Sequence, residues 1–415
     1  MKNILTALAV SSAITTVLFA AEQGSDGRWY APFASYTGDQ TFTLLNNGTG
    51  SKETDLRRSY EFSVAEGQSI ATVSVDGTVT GFDFTINSGV SITGAKNVAN
   101  AGNGNLLIDH SLTIASGASL TTGRDEGLFS GSAIWAAGGG RLGGTINIQG
   151  ALTVNGYRWN PEKQNAWDGD NYLLAIQGKT TISGAGASLT QKGIHSAETV
   201  ATRAINKLTS ELTIGGGVRE KAVQFDDYLF FRGSAANQGA TLNLNSEGVV
   251  VSGVARGATS QADSTFYMTG VAGALNTINS FVSNEVGTLM IQDGTTVKLI
   301  SESLRTEGDA FVINELQAIN SSMAEMTGAN ITLLLNFGYT SPNTKSMRIV
   351  NIEEFMADNN VTVQIYNGKE YIAGELGQNY HILDGGWISA VPEPSTYAII
   401  FGAVALAFVA YRKRK

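Results

Sequence analysis

The stretch GTINIQGALTVNG, residues 144–156, indicates most directly how this chain folds. Ile146, Ile148, Leu152 and Val154 alternate with polar residues, which is the pattern of strands with one buried face. A glycine separates the two runs, so each run is predicted to be a short strand that ends at a turn. Strands this short bury an apolar face only when neighbouring units stack on them.

The same alternation recurs along most of the chain. Its repeat length varies, because Leu112 and Ile146 are 34 residues apart whereas Leu212 and Leu242 are 30 apart. Variable coil lengths with inserted loops are typical of a passenger- or adhesin-like β-helix, not of a strict short-repeat solenoid. Further examples are residues 81–87, 111–123, 210–217, 240–253 and 287–300.

Together these units predict an all-β fold, an irregular parallel β-solenoid or β-helix spanning residues 22–307. Stacked coils would hold a continuous apolar core under an outer surface of Thr, Asn and Ser. Aromatic and charged residues cluster in residues 157–172 and 219–233, which are predicted to be inserted loops. A set of β-sandwich modules is the alternative, but the recurrent alternation and a total of five prolines favour the solenoid.

The composition agrees with a β-rich exported protein. Of the 415 residues, 15% are charged, compared with about 25% in typical globular proteins. The chain has 49 glycines and no cysteine. Disulfides, cysteine-ligated metals and a thiol nucleophile are therefore excluded, and an exported chain of this kind depends on a long core for its stability.

The pattern changes near residue 308. Leu316, Ile319, Met323 and Met326 recur at spacings of three and four, so residues 311–326 are predicted to form an amphipathic helix. Four apolar segments after it are predicted to be strands. They are residues 330–337, 347–352, 361–373 and 380–386.

Within the third of these segments, Asn367 and Gly368 predict a hairpin with a type I′ turn. We expect residues 308–389 to form a helix plus a β-rich cap module. Such a module would close the open end of the solenoid, whose unpaired edge otherwise invites aggregation.

Residues 1–21 have the pattern of a signal peptide. Lys2 gives a positive start, an apolar stretch follows as far as Phe19, and Ala20 and Ala21 are small residues suited to cleavage. The cleavage bond itself is left open, since leucine precedes this site where alanine is preferred. The sequence therefore predicts export.

The other end carries an apolar run, residues 397–411, followed by a basic cluster. The run is apolar on every side, which predicts a transmembrane helix that Ser395 and Thr396 extend toward the usual spanning length. The basic cluster predicts a cytoplasmic C-terminus with the body outside. Its members are Arg412, Lys413, Arg414 and Lys415.

Immediately before this run stands Val391-Pro392-Glu393-Pro394. Two prolines hold the segment out of a helix and leave extended backbone of the kind that proteases bind. With the apolar run and the basic cluster, residues 390–415 resemble the PEP-CTERM sorting signal. That signal ends exported proteins of Gram-negative bacteria that make extracellular polysaccharide. The resemblance covers only these last residues; a plain tail anchor is the alternative.

The resemblance implies a processing partner. Exosortase, a membrane cysteine protease or transpeptidase, is thought to cleave members of this family at or near the motif. The residues Val391, Pro392, Glu393 and Pro394 would then be a substrate sequence and not an active site. The precursor would be anchored in the inner membrane, and the mature body would be periplasmic, at the cell surface or extracellular.

The rest of the chain offers little catalytic chemistry. His110, His195 and His381 are far apart and form no metal-binding motif. Asp168 and Asp170 resemble the start of a calcium loop, but position 12 of that loop is Lys179 where a carboxylate is required. We therefore predict no metal, no cofactor and no enzymatic activity.

A carbohydrate-binding or carbohydrate-active β-helix remains the alternative function. Asp226 and Asp227 are adjacent on a predicted strand and point to opposite faces, so they cannot line one site together. Trp135, Trp159 and Trp167 lie in or near predicted loops and would stack on sugars if exposed. Carboxylates and aromatic residues converging on one face would favour this alternative, whereas a Thr/Asn face would favour a structural role.

The negative net charge of the body limits which partners it can bind. The chain has 27 Lys and Arg, five of them in the two terminal segments, and 36 Asp and Glu, so the body has a net charge near −14. Nucleic acid and anionic lipid are poor partners for such a surface. The expectation is an exported structural or adhesive protein whose partners are exosortase, the membrane through the precursor's helix, and, as a candidate, extracellular polysaccharide.

Overall fold

The structure is a computed structural model. It describes residues 140–155, 172–192, 205–219, 221–226, 228–233, 238–246, 251–252, 264–271, 273–301, 311–337 and 346–390, with residues 402, 406, 411 and 412. Before residue 140 it describes short strands and the turn residues 116 and 117.

Parallel strands, numbered in chain order, form the body, and the described ones belong to three long sheets and one small one. Sheet 1 consists of β2 (Glu22–Gln23), β3 (Trp29–Tyr30), β5 (Arg58–Phe62), β8 (Phe82–Ile86), β11 (Leu106–Ile108), β14 (Gly140–Leu142), β17 (Tyr172–Ile176), β20 (Ile205–Leu208), β23 (Leu229–Gly233), β26 (Thr265–Gly270), β28 (Asn284–Gln292), β30 (Phe311–Ile319), β32 (Met347–Ile349), β36 (Trp387–Ala390) and β35 (Tyr380–Leu383).

Sheet 2 consists of β6 (Ser69–Ile70), β9 (Val90–Ile92), β12 (Leu112–Ile114), β15 (Thr145–Ile148), β18 (Lys179–Ile182), β21 (Glu211–Ile214), β24 (Thr241–Leu244), β27 (Leu275–Ser280), β29 (Thr296–Ser301), β31 (Asn330–Asn336), β33 (Asn360–Tyr366) and β34 (Tyr371–Ala373).

Sheet 3 consists of β10 (Asn97–Asn100), β13 (Ser119–Thr122), β16 (Ala151–Asn155), β19 (Ser188–Lys192), β22 (Val223–Phe225) and β25 (Val251–Ser252). The small sheet contains β1 (Thr16–Phe19), β4 (Thr41–Leu44) and β7 (Thr72–Val75), and the helix α1 spans Ile352–Asp358.

From β8 to β25, successive strands pass from sheet 1 to sheet 2 to sheet 3, and each strand pairs in parallel with its equivalent in a neighbouring coil. The protein is thus mostly β with long parallel sheets, as expected for a parallel β-solenoid. From β26 to β33 the described strands alternate between sheets 1 and 2 alone, and several are longer, up to nine residues.

The alternation predicted for residues 144–156 is confirmed by β15 and β16. Ile146, Ile148, Leu152 and Val154 are fully buried. The variable repeat is also confirmed in register, since Leu112 pairs with Ile146 and Leu212 pairs with Leu242. Insertions between strands therefore change the coil length without breaking the stacked apolar columns.

The predicted helix over residues 311–326 is wrong. Residues 311–319 form β30, and the following segment folds back so that the Met326 N–H donates to the Ala318 carbonyl at 3.0 Å. Leu316 faces the main core, whereas Ile319 and Met323 belong to a separate apolar cluster. The helix-like spacing thus arises from side chains on different sides of a strand and its return loop.

On the C-terminal side of the body, sheets 1 and 2 each end in antiparallel strands. β34 pairs with β33 at the end of sheet 2, and β36 pairs with both β32 and β35 at the end of sheet 1. The four segments predicted after residue 330 do contain strands. β30 and β31, which follow residue 308, pair in parallel with β28 and β29, which precede it.

The hairpin at Asn367 is confirmed, but its predicted type I′ turn is wrong. Tyr366 pairs with Tyr371, which leaves a four-residue loop, and the Asn367 side-chain oxygen accepts from the N–H groups of Lys369 and Glu370. Gly368 has φ of 93°, while Asn367 stays at negative φ, so the two positive φ values of a type I′ turn are missing.

The predicted terminal segments fall largely outside the described residues. β1 lies within the predicted signal peptide, and the remaining residues of 1–21 are not described. The predicted transmembrane helix, residues 397–411, is described only at positions 402, 406 and 411. In the described part of the chain, no helix has the length and apolar character needed to cross a membrane.

Candidate functional site

The outer face of sheet 2 is lined by short polar side chains. Because strands stack in register, outward residues of successive coils form a column that runs along the body. This column contains Thr113, Asn147, Thr181, Thr213, Asn243 and Asn279.

Hydrogen bonds connect three members of this column, Thr213, Asn243 and Asn279. The Asn243 amide donates to the Thr213 hydroxyl at 3.0 Å, and the Asn279 amide donates to Asn243 Oδ1 at 3.4 Å. Glu211 accepts from the Thr213 hydroxyl at 3.3 Å, so its carboxylate is part of the same network. Cross-coil bonds therefore order this face: two join neutral groups, and a third runs from the Asn243 amide to the Glu211 carboxylate at 3.5 Å.

At its C-terminal end, the outer face of sheet 2 carries a different set of side chains. We call the outward residues of β29, β31, β33 and β34 the β29–β34 face. One of its columns holds three hydroxyls, at Thr296, Thr332 and Thr362. Beside it, Asn360 donates to Asn330 Oδ1 at 3.4 Å, and the Asn330 amide donates to Asp293 at the same distance.

A groove of about 570 Å³ lies beside these two columns. Thr332 and Thr362 line it from sheet 2, and Met356 lines it from α1. The groove is lined mainly by polar groups. Its remaining lining residues are Gly294, Asn330, Ile331, Asn359, Asn360 and Val361.

An aromatic pair occupies the other end of the β29–β34 face. The rings of Tyr366 and Tyr371 have centroids 5.3 Å apart at an interplanar angle of 49°, and both side chains are half-buried. The Lys298 ammonium lies 5.2 Å from the Tyr371 ring centroid. Leu334 and Gln364 lie between the tyrosines and the threonine column.

The aromatic residues on sheet 1 have a different environment. Phe230 and Tyr267 stack at 4.5 Å with an angle of 17°, but Phe230 is fully buried and Tyr267 is 5% exposed. That cluster, which includes Ile205 and Ile319, therefore stabilises the fold and offers no stacking surface.

Two carboxylates on sheet 1, those of Glu285 and Glu315, are each engaged with a neutral partner. Glu285 accepts from the Asn314 amide at 2.7 Å, and Glu315 accepts from the Thr288 hydroxyl at 3.0 Å. Among the residues that the structure describes, no three His, Asp or Glu side chains are placed to hold a metal ion.

The predicted sorting residues Val391, Pro392, Glu393 and Pro394 lie outside the described residues, as do Lys413, Arg414 and Lys415. Arg412 is described and is helical and exposed. The last described strand, β36, ends at Ala390, one residue before Val391.

Most other residues singled out in the sequence are also outside the described part. These are His110, His195, Asp168, Asp170, Asp227, Trp135, Trp159 and Trp167. His381 is exposed on β35, and Asp226 is half-buried, with its N–H donating to Gln191 Oε1 at 3.1 Å.

The comparisons with known proteins identify no relative: no family model, no curated protein and no solved structure matches this chain.

The β29–β34 face was not predicted as a site. The pattern of residues 361–373 predicts a hairpin, and its alternation places Thr362, Gln364 and Tyr366 on one face. The contribution of β29 and β31 was not visible in the sequence, because loops separate these strands from β33 along the chain. Only the stacking register brings the columns together.

Proposed function

We propose that this protein is an exported structural or adhesive protein of the cell surface or extracellular matrix, sorted by an exosortase through its C-terminal signal. The observation that carries the proposal is the order of Pro392-Glu393-Pro394, the apolar run and the basic cluster at residues 412–415. The precursor is anchored in the inner membrane with a cytoplasmic C-terminus, and the body is periplasmic, at the surface or extracellular.

The body suits a display role as a passenger- or adhesin-like β-helix. A continuous apolar core runs through its coils without cysteine, and its outer sheet 2 face carries Thr and Asn. Antiparallel strands β34, β35 and β36 act as a C-terminal cap that covers the sheet ends and opposes end-to-end stacking of copies. The transmembrane helix follows this cap.

The position of β36 supports presentation of the motif. Ile388 is fully buried and Ser389 is 1% exposed, so the body is folded almost up to Val391. The six residues 391–396 separate β36 from the apolar run and span at most about 20 Å when extended. The folded cap therefore lies close to the membrane surface in the precursor, with the Pro-Glu-Pro segment between them.

A second candidate function is carbohydrate binding by the exported body. The observation that favours it is the half-buried Tyr366–Tyr371 pair beside columns of threonine hydroxyls and asparagine amides. Carbohydrate cleavage has less support, since the described outward residues of the β29–β34 face include no carboxylate pair of the kind that glycosidases use.

Substitution of the motif tests the sorting proposal. Replacing Pro392, Glu393 and Pro394 with alanine is expected to retain the full-length protein in the inner membrane. The matched control, Ser395→Ala with Thr396→Ala, keeps the motif and is expected to be processed normally. Immunoblots of inner-membrane and surface fractions read out the result. Equal processing of both variants would contradict the proposal.

A further inference from the structure

We propose that the β29–β34 face binds an uncharged glycan chain. This inference deepens the carbohydrate-binding candidate and is independent of exosortase processing. It rests on the combination, on one exposed sheet face, of an aromatic pair and two columns of hydrogen-bonding side chains. One column consists of threonine hydroxyls, and the other consists of the Asn330 and Asn360 amides and ends at the Asp293 carboxylate.

The tyrosines provide the stacking surface. Tyr366 and Tyr371 point to the same side because they form a directly opposed pair between β33 and β34. Their rings are tilted by 49°, so together they form a shallow angled platform, and both hydroxyls offer a polar edge. The C–H-rich face of a pyranose ring packs on such aromatic surfaces, while its hydroxyl groups require hydrogen-bond partners nearby.

Those partners lie along the same strands. Gln364 and Thr362 are two and four residues before Tyr366, which places them about 7 and about 13 Å from it along β33. Thr332 lies opposite Thr362 on β31 and lines the groove with it. The platform and the groove therefore form one track about 20 Å long from Tyr366 to Asn360, the length of several sugar units.

The charges favour an uncharged ligand. Among the described outward residues of β29, β31, β33 and β34, the charged side chain is Lys298, and its ammonium already lies over the Tyr371 ring. The exposed carboxylate of Asp293, which accepts from Asn330 at the end of the amide column, adds a negative charge that disfavours an anionic ligand. A polyanionic glycan would meet a body with net negative charge and little compensating positive charge on this face. Amides and hydroxyls, which both donate and accept, match the hydroxyl groups of neutral sugars.

The experiment measures binding of the full chain, purified from host membranes, by calorimetry. The probes are neutral hexasaccharides of glucose and mannose in α and β linkage, with a hexasaccharide of uronic acid as the charged comparison. We expect binding to at least one neutral probe. Tyr366→Ala and Tyr371→Ala should each weaken that binding about tenfold, as expected for loss of an aromatic contact.

Two control variants define the outcome. Tyr366→Phe keeps the ring and should keep the affinity within about threefold. Thr213→Ala with Asn243→Ala alters the same sheet face several coils away and should leave binding unchanged. Absence of binding to every neutral probe, preference for the uronic acid probe, or equal binding by Tyr366→Ala and the unmodified protein would overturn the proposal.

Measurements on the same samples distinguish failure of the glycan-binding proposal from failure of the sorting proposal. Intact mass reports whether the C-terminal segment has been removed from each variant. Loss of glycan binding in Tyr366→Ala together with normal trimming would support the site and leave the sorting proposal intact. Normal glycan binding with no trimming in any strain would support the site while contradicting the sorting proposal.

Discussion

The side chain of Asn351 pairs with both backbone groups of Leu316. Its Oδ1 accepts the Leu316 N–H at 2.8 Å, and its Nδ2 donates to the Leu316 carbonyl at 2.9 Å. The neighbouring strand β32 pairs with β30 only as far as Ile313, so Leu316 lacks a strand partner on that side. One amide side chain therefore replaces the missing strand at the point where α1 begins.

Asn351→Ala is expected to destabilise the protein by about 2–4 kcal/mol, because it leaves two groups of a nearly buried residue unpaired. Asn314→Ala, which removes a half-buried bond to Glu285, is the matched control and should cost about 1 kcal/mol or less. Urea denaturation with an unchanged m-value provides the measurement. Equal losses for the two variants would contradict this role for Asn351.

Thr180 is a polar residue in an apolar column. It lies between Ile146 and Leu212 in register and is 1% exposed, and its hydroxyl has no hydrogen-bond partner among the described residues. Thr180→Val keeps the shape and removes the buried hydroxyl, so we expect stabilisation of about 1 kcal/mol. Thr181→Val, on the outer face, should change the urea midpoint little. A destabilised Thr180→Val protein would show that the hydroxyl is paired.

Gly386 controls the docking of β36. Its φ is 81°, and a Cβ there would lie 2.0 Å from the Ile349 carbonyl oxygen. Gly386→Ala is therefore expected to loosen β36 and to raise amide hydrogen exchange at Ile388. Gly368 also has a positive φ, 93°, but a Cβ there would face open space. Gly368→Ala is therefore the control: it should cost only the backbone strain of about 1–2 kcal/mol, without a steric clash. Similar exchange at Ile388 in both variants would argue against close packing at Gly386.

Tyr380 makes the cap sensitive to alkaline pH. Burial raises the pKa of its phenol above the ordinary value of 10.0. Well below pH 10 the phenol is protonated in both folded and unfolded chains. As the pH rises through 10 the unfolded chain loses the proton first, so the free energy of unfolding falls. Tyr380→Phe should lose less stability than the unmodified protein between about pH 8 and about pH 11. Identical urea midpoint shifts would contradict this linkage.

The sequence allowed the stacked coils to be predicted where alternation is regular. Ile146 and Ile148 show the period of two, and insertions between coils leave that pattern intact. The helix over residues 311–326 was wrongly predicted because β30 has two adjacent outward residues, Asn314 and Glu315. This break shifts Leu316 into a helix-like spacing with Ile319, although the two side chains pack in different clusters.

The short helix α1 and the β29–β34 face were missed for related reasons. α1 has seven residues and buries only Ile352 and Phe355, too few positions to establish a helical period. The face depends on the pairing of Thr332 with Thr362, which are 30 residues apart. A pattern within one strand predicts which residues face outward but not which strand lies beside it.

The most direct test of the proposed role is the intact mass of the mature protein in strains with and without the host's exosortase. We predict a product that retains Ala390 and lacks residues 412–415 when exosortase is present, and a chain that retains those residues when it is absent. A C-terminus carrying Arg412, Lys413, Arg414 and Lys415 in both strains would contradict the sorting proposal and leave a simple tail anchor.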